Sequence, residues 1–322
     1  MLDKLRNLNF GNVDPIELFS DQFSYGHREI LLKYSNMSPG LFLLGKLQHG
    51  VWGPGDPINF HCPRIRGRRA PFWVFSKEDE LSARSEGNSH VKAIGAPWLY
   101  LMSGVDPKRH VTQNPKYLVM PAHSTVNYVN SSSASEKHSR ARAFRQILGD
   151  VDATVCLHFN DFLDPDTRNA FIDTGYRITC VGVGANSTPF SPAANRVGFL
   201  LSLMRLMSEH THLVNEGFSS SLMFAITMEM QIGLFPSTRE KVRFGRQGSY
   251  SEVDSTRAKF DIEMDYLEKY MSKSINGFHF DDSYLQISSR YLGADSLLTK
   301  LELNHLLMQH VSKGIEVIEE PW

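Results

Sequence analysis

Short apolar runs alternate with helix-like segments between residues 117 and 235, and this alternation restricts the fold more than any other feature of the sequence. Strands that alternate with helices at this spacing form βαβ units in a parallel sheet. Because the runs are continuously apolar, we expect both faces of that sheet to be covered. The sequence therefore predicts an α/β protein. The predicted strands are 117–120, 153–157, 176–183, 211–215 and 231–235, and the predicted helices are 135–148, 164–174, 195–209 and 219–229.

The length of the chain, 322 residues, indicates two domains. A polar stretch over 103–115 contains one glycine and two prolines, and we place the boundary between the domains there. We expect an N-terminal α/β domain over 1–110, a second α/β domain over 111–280 and a C-terminal helical segment over 281–322. Amphipathic helices are predicted near the end of the chain, over 261–271 and 297–311.

Charge and cysteine usage exclude several classes of protein. The chain carries 34 Lys and Arg against 35 Asp and Glu, whereas nucleic-acid binders usually carry a strong basic excess. Its three cysteines form no CxxC pair, and the spacing of His210 and His212 fits no common metal site. No apolar run reaches about 18 residues, and the N-terminus lacks a signal-peptide core. We therefore expect a cytoplasmic protein that binds neither nucleic acid nor a metal.

Three serines open the helix predicted after the fourth strand, and they form the strongest candidate site. In open parallel sheets, ligands bind beyond the carboxyl ends of the strands, where loops meet helix N-termini. The unpaired N–H groups and the dipole of such a helix favour an anion, and Ser219, Ser220 and Ser221 add hydroxyl donors. Serine also caps helices for purely structural reasons, but three in a row exceed what one cap needs. We predict a phosphate site here, with Asn215 at the end of the strand.

Two histidine-containing loops supply further candidates. The Gly-rich segment 46–56 follows an apolar run and offers His49 and Asp56 as candidate general bases. The structural alternative is a tight turn with a surface histidine. His123 and Ser124 directly follow the strand over 117–120 and are predicted to bind a phosphate or a ribose, unless the histidine only caps the strand end.

Two later strand ends give weaker signals. His158 and Asn160 follow the predicted strand over 153–157. There they would bind a base or a sugar, or else cap the next helix. Gly182 and Gly184 lack the full GxGxxG pattern of a dinucleotide site, so we expect them only to let a ligand approach the backbone.

A short basic run in the first half has no clear place in the fold. Arg64, Arg66, Arg68 and Arg69 would contact an anionic acceptor or a membrane surface, or would simply be solvated.

The motifs over 48–52, 120–124 and 214–221, taken in this order, resemble those of bacterial polysaccharide and lipopolysaccharide glycosyltransferases of the GT-B fold. The nearest comparison is with sialyltransferases and Kdo transferases that use CMP-activated sugars. The resemblance covers residues 40–310 and includes an Arg-Tyr-Leu-Gly tail at 290–293 that precedes a Leu-rich helix. It implies two Rossmann-like domains. His123 and the turn formed by Ser219, Ser220 and Ser221, which we call the serine turn, would hold the nucleotide phosphate.

The chain also departs from that family. Ser124 stands where the bacterial sialyltransferases have a proline after the histidine, and the first 110 residues lack their acidic general-base tripeptide. His49 and Asp56 are therefore the bases that we expect.

The resemblance implies a metal-independent glycosyltransferase without an organic cofactor. The expected donor is a nucleotide sugar, with a CMP-sugar favoured, and the expected acceptor is a glycan or glycolipid of the bacterial surface. We expect the enzyme in the cytoplasm, with peripheral contact to the inner membrane through the arginine run. The alternatives are a nucleotide-sugar epimerase or hydrolase of the same fold, and a non-catalytic carbohydrate- or nucleotide-binding protein.

Overall fold

The larger sheet of the protein confirms the predicted α/β fold. The structure is a computed structural model that describes residues 25–38, 41–51, 64–65, 68–104, 114–122, 133–181, 199–217, 219–235, 278, 280 and 282–316. Five strands pair in parallel in the order β11-β10-β7-β8-β9. They are β7 (Tyr117–Met120), β8 (Ala153–Leu157), β9 (Arg177–Cys180), β10 (His212–Glu216) and β11 (Gln231–Phe235).

This strand order fixes where the sheet can bind a ligand. Counted from β7, the sheet runs 3-2-1-4-5, which is the order of a Rossmann-like half. The order reverses between β7 and β10, so the loops after these two strands diverge to opposite faces. The crevice at such a switch point is the expected ligand site of a doubly wound sheet.

Local sequence signals explain the helices around this sheet. Ser133 and Glu136 form a capping box at the start of one helix, and Asp164 caps another that begins with a proline. The helices are α4 (Ala134–Leu148), α5 (Phe159–Leu163), α6 (Pro165–Asp173), α7 (Phe199–Ser208) and α8 (Ser220–Thr227).

The first half of the chain forms a smaller parallel sheet of three strands, in the order β2-β5-β6. Ser76 caps the helix that connects two of these strands, as the acids in its first turn suggest. The elements of this half are α1 (His27–Tyr34), β1 (Leu41–Leu43), β2 (Lys46–Leu47), β3 (Arg64–Ile65), β4 (Arg68–Arg69), β5 (Phe72–Val74), α2 (Lys77–Ser85), β6 (Val91–Ala93) and α3 (Pro97–Met102).

An apolar run over 41–44 precedes the Gly-rich segment that contains His49, which we call the His49 loop. This run does not form a strand of the parallel sheet. Its first part is β1, which pairs antiparallel with β12 (Val311–Glu316) near the end of the chain. Only β2 joins the parallel sheet, after the chain turns at Gly45. A Cβ atom on Gly45 would lie 2.6 Å from the Trp73 ring, so glycine allows this close passage.

The end of the chain returns to both halves. The segment around residue 284 forms α9 (Asp282–Leu292), where Ser288 donates to the Met223 carbonyl of α8 at 2.9 Å. The helix predicted over 297–311 is shorter, α10 (Lys300–Met308), and β12 follows it. The helix predicted over 261–271 lies outside the described residues.

One of the buried apolar clusters contains residues from both halves. Trp98 of α3 stacks on Phe224 of α8 with ring centroids 4.4 Å apart, and its indole donates to Thr227 at 2.8 Å. Phe75, which directly follows β5 of the smaller sheet, and Leu213 of β10 belong to the same buried cluster. Among the described residues, no helix has the length and apolar character needed to span a membrane.

Candidate functional site

The turn between β10 and α8 lies at the switch point, and its side chains bond to one another. Asn215, the next-to-last residue of β10, is buried and donates its side-chain amide to the Gly217 carbonyl at 2.7 Å and to Ser219 Oγ at 3.0 Å. Gly217 has a φ of 72°, in the left-handed region that glycine adopts readily, which allows the chain to reverse here. Ser219 Oγ accepts the Leu222 N–H as the N-cap of α8.

A buried ion pair holds the tips of β7 and β10 together. The Glu216 carboxylate at the end of β10 accepts from the Arg140 guanidinium of α4 and from the Ala122 N–H at 3.0 Å. Arg140 also donates to the Ala122 carbonyl at 2.8 Å. The side chains of Glu216 and Arg140 are 0% and 11% exposed. The N–H and the carbonyl of Ala122 are therefore both held by the Arg140–Glu216 pair, whose two charges cancel.

The His49 loop of the first half reaches the serine turn directly. The Val51 N–H donates to Ser220 Oγ at 2.8 Å. A Cβ atom on Gly50 would lie 2.9 Å from the same oxygen, so the loop lies against α8 with no room for a side chain. The His49 side chain, one residue earlier, is exposed. The structure therefore brings the backbone of the loop that carries His49 against Ser220, in the turn that follows β10 of the larger sheet.

Aromatic rings line the first-half side of this junction. The Tyr25 ring stacks on His49 at a centroid distance of 6.0 Å and on His27 at 5.6 Å, and it meets the Phe199 ring of α7 edge-on at 5.1 Å. Phe199 belongs to the second half, so this cluster also spans the two sheets.

His27 is a neutral imidazole under this loop. Burial lowers its pKa to about 3, the nearby His49 adds to the decrease, and a hydrogen bond to the Gln48 backbone opposes it. Its Nδ1 atom is buried without a hydrogen-bond partner in the described part of the chain. The low pKa favours the uncharged ring near neutral pH.

After β8, His158 makes a helix cap, which is one of the two roles that the sequence left open for it. His158 is the N-cap of the short helix α5, and its ring nitrogen accepts the Asn160 N–H at 3.3 Å. Burial lowers the pKa of His158, which favours the neutral ring that such a cap requires.

Several predicted site residues lie outside the described residues: Asp56, His123, Ser124, Gly182 and Gly184. The same holds for Arg66, whereas Arg64, Arg68 and Arg69 belong to the antiparallel hairpin of β3 and β4, and Arg69 is exposed. Within the described ranges, no group of three or more His, Cys, Asp or Glu side chains could hold a metal ion.

Sequence reasoning missed the residues that support the site. Glu216 stands next to the predicted serine turn, but its partner Arg140 is 76 residues away, and nothing in the local sequence connects the two. Gln48 and Tyr25 were likewise not predicted. A charged residue at the end of a mostly buried strand, such as Glu216, is the one signal that could have been used, because burial of a carboxylate demands a partner.

Comparisons with known proteins add little to this geometry. No protein-family model and no curated protein matches the chain. Among solved structures, it is similar to a variant of S. aureus TarM in complex with fondaparinux, α-GlcNAc-glycerol and UDP, at 10% sequence identity and a TM-score of 0.32. The match covers 73% of this chain and 43% of that chain, so this chain spans less than half the length of the protein that it matches. A likeness of this size carries no weight for the activity, and the fold rests on the strand pairings themselves.

Proposed function

We propose that this chain transfers a sugar from a nucleotide-activated donor to a hydroxyl group of a glycan or glycolipid acceptor. The observation that carries the proposal is the contact between Val51 and Ser220, 2.8 Å long, because it joins the His49 loop to the N-terminus of α8. One site thereby contains an exposed imidazole and an anion-binding helix end.

In this proposal, the serine turn holds the phosphate of the donor. The N–H groups of Ser220 and Ser221 are in the first turn of α8 and have no partner within the helix. The positive end of the helix dipole favours an anion at the same place. Ser220 Oγ already accepts a hydrogen bond from Val51, so its own proton remains for a phosphate oxygen. Arg140 neutralises Glu216, which reduces the repulsion between that carboxylate and the bound phosphate.

Sugar transfer also needs a base on the acceptor side. The bond between the anomeric carbon and the phosphate oxygen breaks, and its electron pair leaves with the phosphate. The acceptor oxygen forms the new bond to the anomeric carbon and gives its proton to His49. Donors fixed in place before the reaction stabilise the charge that develops on the leaving phosphate.

The finer assignments rest on the resemblance of the motifs. We propose a CMP-sugar as the donor, no requirement for a metal, and a role for His123 and Ser124 at the phosphate. Asp56 is the second candidate for the base. The arginine hairpin is proposed to contact the inner membrane surface, where a glycolipid acceptor would be presented.

The test is nucleotide release from CMP-, UDP-, GDP- and ADP-sugars, with and without a panel of oligosaccharide acceptors. The proposal predicts release that depends on both a nucleotide sugar and an acceptor, together with an acceptor product heavier by one sugar in mass spectrometry. Release of free sugar without an acceptor would instead establish a hydrolase. Nucleotide binding without turnover across the panel would establish a binding protein.

Matched variants tie the activity to the site. We expect His49→Ala to lower the transfer rate by about a hundredfold, the usual contribution of a general base. His138→Ala is the control, because His138 is a surface histidine of α4 that pairs with Asp173 away from the serine turn. Equal rates for the His49 variant, the control and the wild type would remove the assignment of the base.

A further inference from the structure

The side chain of Gln48 joins separate parts of the junction between the loop and α8. The side chain is buried, with 1% of the residue exposed. Its Oε1 atom accepts the Phe75 N–H at 2.7 Å, and its Nε2 atom donates to the Gly50 carbonyl at 2.8 Å. Its main-chain N–H donates to the Trp73 carbonyl at 2.9 Å. One amide side chain thus joins the end of β5 to the loop that follows β2.

These bonds determine where the next residues lie. The Gly50 carbonyl is held by the Gln48 side chain, and the following N–H, that of Val51, donates to Ser220 Oγ. His49 lies between two residues whose backbones are both fixed, and its ring stacks on Tyr25. An exposed side chain on such a loop has its backbone position fixed before any ligand binds.

We infer that Gln48 is a positioning residue, which holds His49 at a fixed place relative to the N-terminus of α8. The inference rests on the proposed function for the role of His49 in transfer. It adds that the amide of Gln48, which is buried and offers almost no surface to a ligand, is required for the reaction. The preorganised geometry matters because a displacement of about 1 Å of a catalytic group can lower a rate by about a hundredfold.

The first test measures the geometry without any activity. Amide hydrogen exchange is followed by NMR at Val51 and Phe75 in the wild type, in Gln48→Met and in Gln48→Glu. Methionine removes both side-chain bonds, whereas glutamate keeps the acceptor for Phe75 and loses the donor to Gly50. We expect exchange at Val51 to be at least about fivefold faster in both variants, the equivalent of one lost hydrogen bond. Exchange at Phe75 should increase only in Gln48→Met. Unchanged exchange at Val51 would overturn the inference.

The second test measures whether Gln48 acts through His49. Transfer rates are compared for Gln48→Met, His49→Ala and the double variant. The inference predicts a kcat lower by about tenfold to a hundredfold in Gln48→Met with the KM for the donor unchanged, and no further loss when the substitution is made in His49→Ala. An equal loss in both backgrounds would overturn the inference while the base remains assigned. Wild-type transfer by His49→Ala would overturn the base, and the exchange at Val51 would still test the geometry.

Two further variants control for stability. Asn304→Leu removes a side-chain bond of similar kind, from Asn304 to the Ser35 carbonyl at 2.9 Å, away from the junction. It should leave both exchange at Val51 and kcat at wild-type values. Where Gln48→Met fails to fold, Gly50→Ala makes the same test, because the added Cβ atom would lie 2.9 Å from Ser220 Oγ and displace the loop. Wild-type kcat in a folded Gly50→Ala would then count against the inference.

Discussion

Removing Arg140 alone from the Glu216–Arg140 pair should destabilise the protein by about 2 kcal/mol or more beyond the effect of removing both members. The Glu216 side chain is fully buried, and Arg140 is its ion-pair partner at the tips of β7 and β10. In Arg140→Met, the Ala122 N–H is the one hydrogen-bond donor that the carboxylate keeps among the described residues, so its charge remains buried without a counter-charge there. In Glu216→Gln, the guanidinium loses its counter-charge but is 11% exposed and has some access to water.

The magnitudes follow from this difference in burial. Breaking a buried pair costs about 3–5 kcal/mol, and we expect Arg140→Met near the upper end of that range and Glu216→Gln near the lower end. The double variant carries no buried charge and should recover about 2 kcal/mol or more relative to Arg140→Met. The orphaned atoms of the pair, Glu216 Oε1 and Arg140 Nε, have no hydrogen-bond partner among the described residues, which makes the double substitution less costly.

The assay is urea unfolding, which gives the free energy of unfolding of each variant and of the double-mutant cycle. The control is the pair of Arg177 and Asp152 in the same sheet, whose side chains are 66% and 60% exposed. Removing this surface pair should change the free energy of unfolding by less than about 1 kcal/mol. The reasoning fails if Arg140→Met costs no more than this surface pair, or if the two single losses simply add.

Three other predictions test the local structure by the same unfolding assay. Ser219→Ala should cost about 1 kcal/mol through the lost N-cap of α8, and no loss would mean that the hydroxyl has no capping role. Gly293→Ala should lower the free energy of unfolding more than Gly87→Ala does. Both glycines have a positive φ, but only a Cβ atom on Gly293 would clash with the Phe75 carbonyl oxygen. Equal decreases in the two variants would contradict this. Because the folded protein holds the pKa of His27 at about 3 and the unfolded chain at about 6.5, the unfolded state binds the extra proton between these values. The free energy of unfolding should therefore fall as the pH is lowered below about 6.5, by up to about 1.4 kcal/mol per pH unit from this group, and His27→Gln should lack that part of the slope.

Local patterns explain what the sequence predicted well. The strands over 117–120, 153–157 and 231–235 have the predicted bounds. A run of apolar residues that polar or turn residues end leaves little choice of where the strand begins and ends. Helix starts at Ser133 and Asp164 are set by side chains within three residues of the cap.

Contacts between distant segments could not be predicted in this way. The pairing of β1 with β12 joins the start and the end of the described chain, and the bond from Val51 to Ser220 spans 169 residues. The short helix capped by His158 was also missed, since five residues carry no helical period. In each case the deciding partner is a group that the local pattern does not contain.

The central claim is that the serine turn of one sheet and the His49 loop of the other form a single nucleotide-phosphate site. Its most direct test is titration of the 15N-labelled protein with CMP, UDP, GDP and ADP, followed by the backbone amide signals of Ser220, Ser221 and Val51. The account predicts that at least one nucleotide shifts all three signals together, with one dissociation constant, and that Ser220→Ala weakens it. Shifts confined to a different part of the molecule, or no shift with any of the four nucleotides, would contradict it.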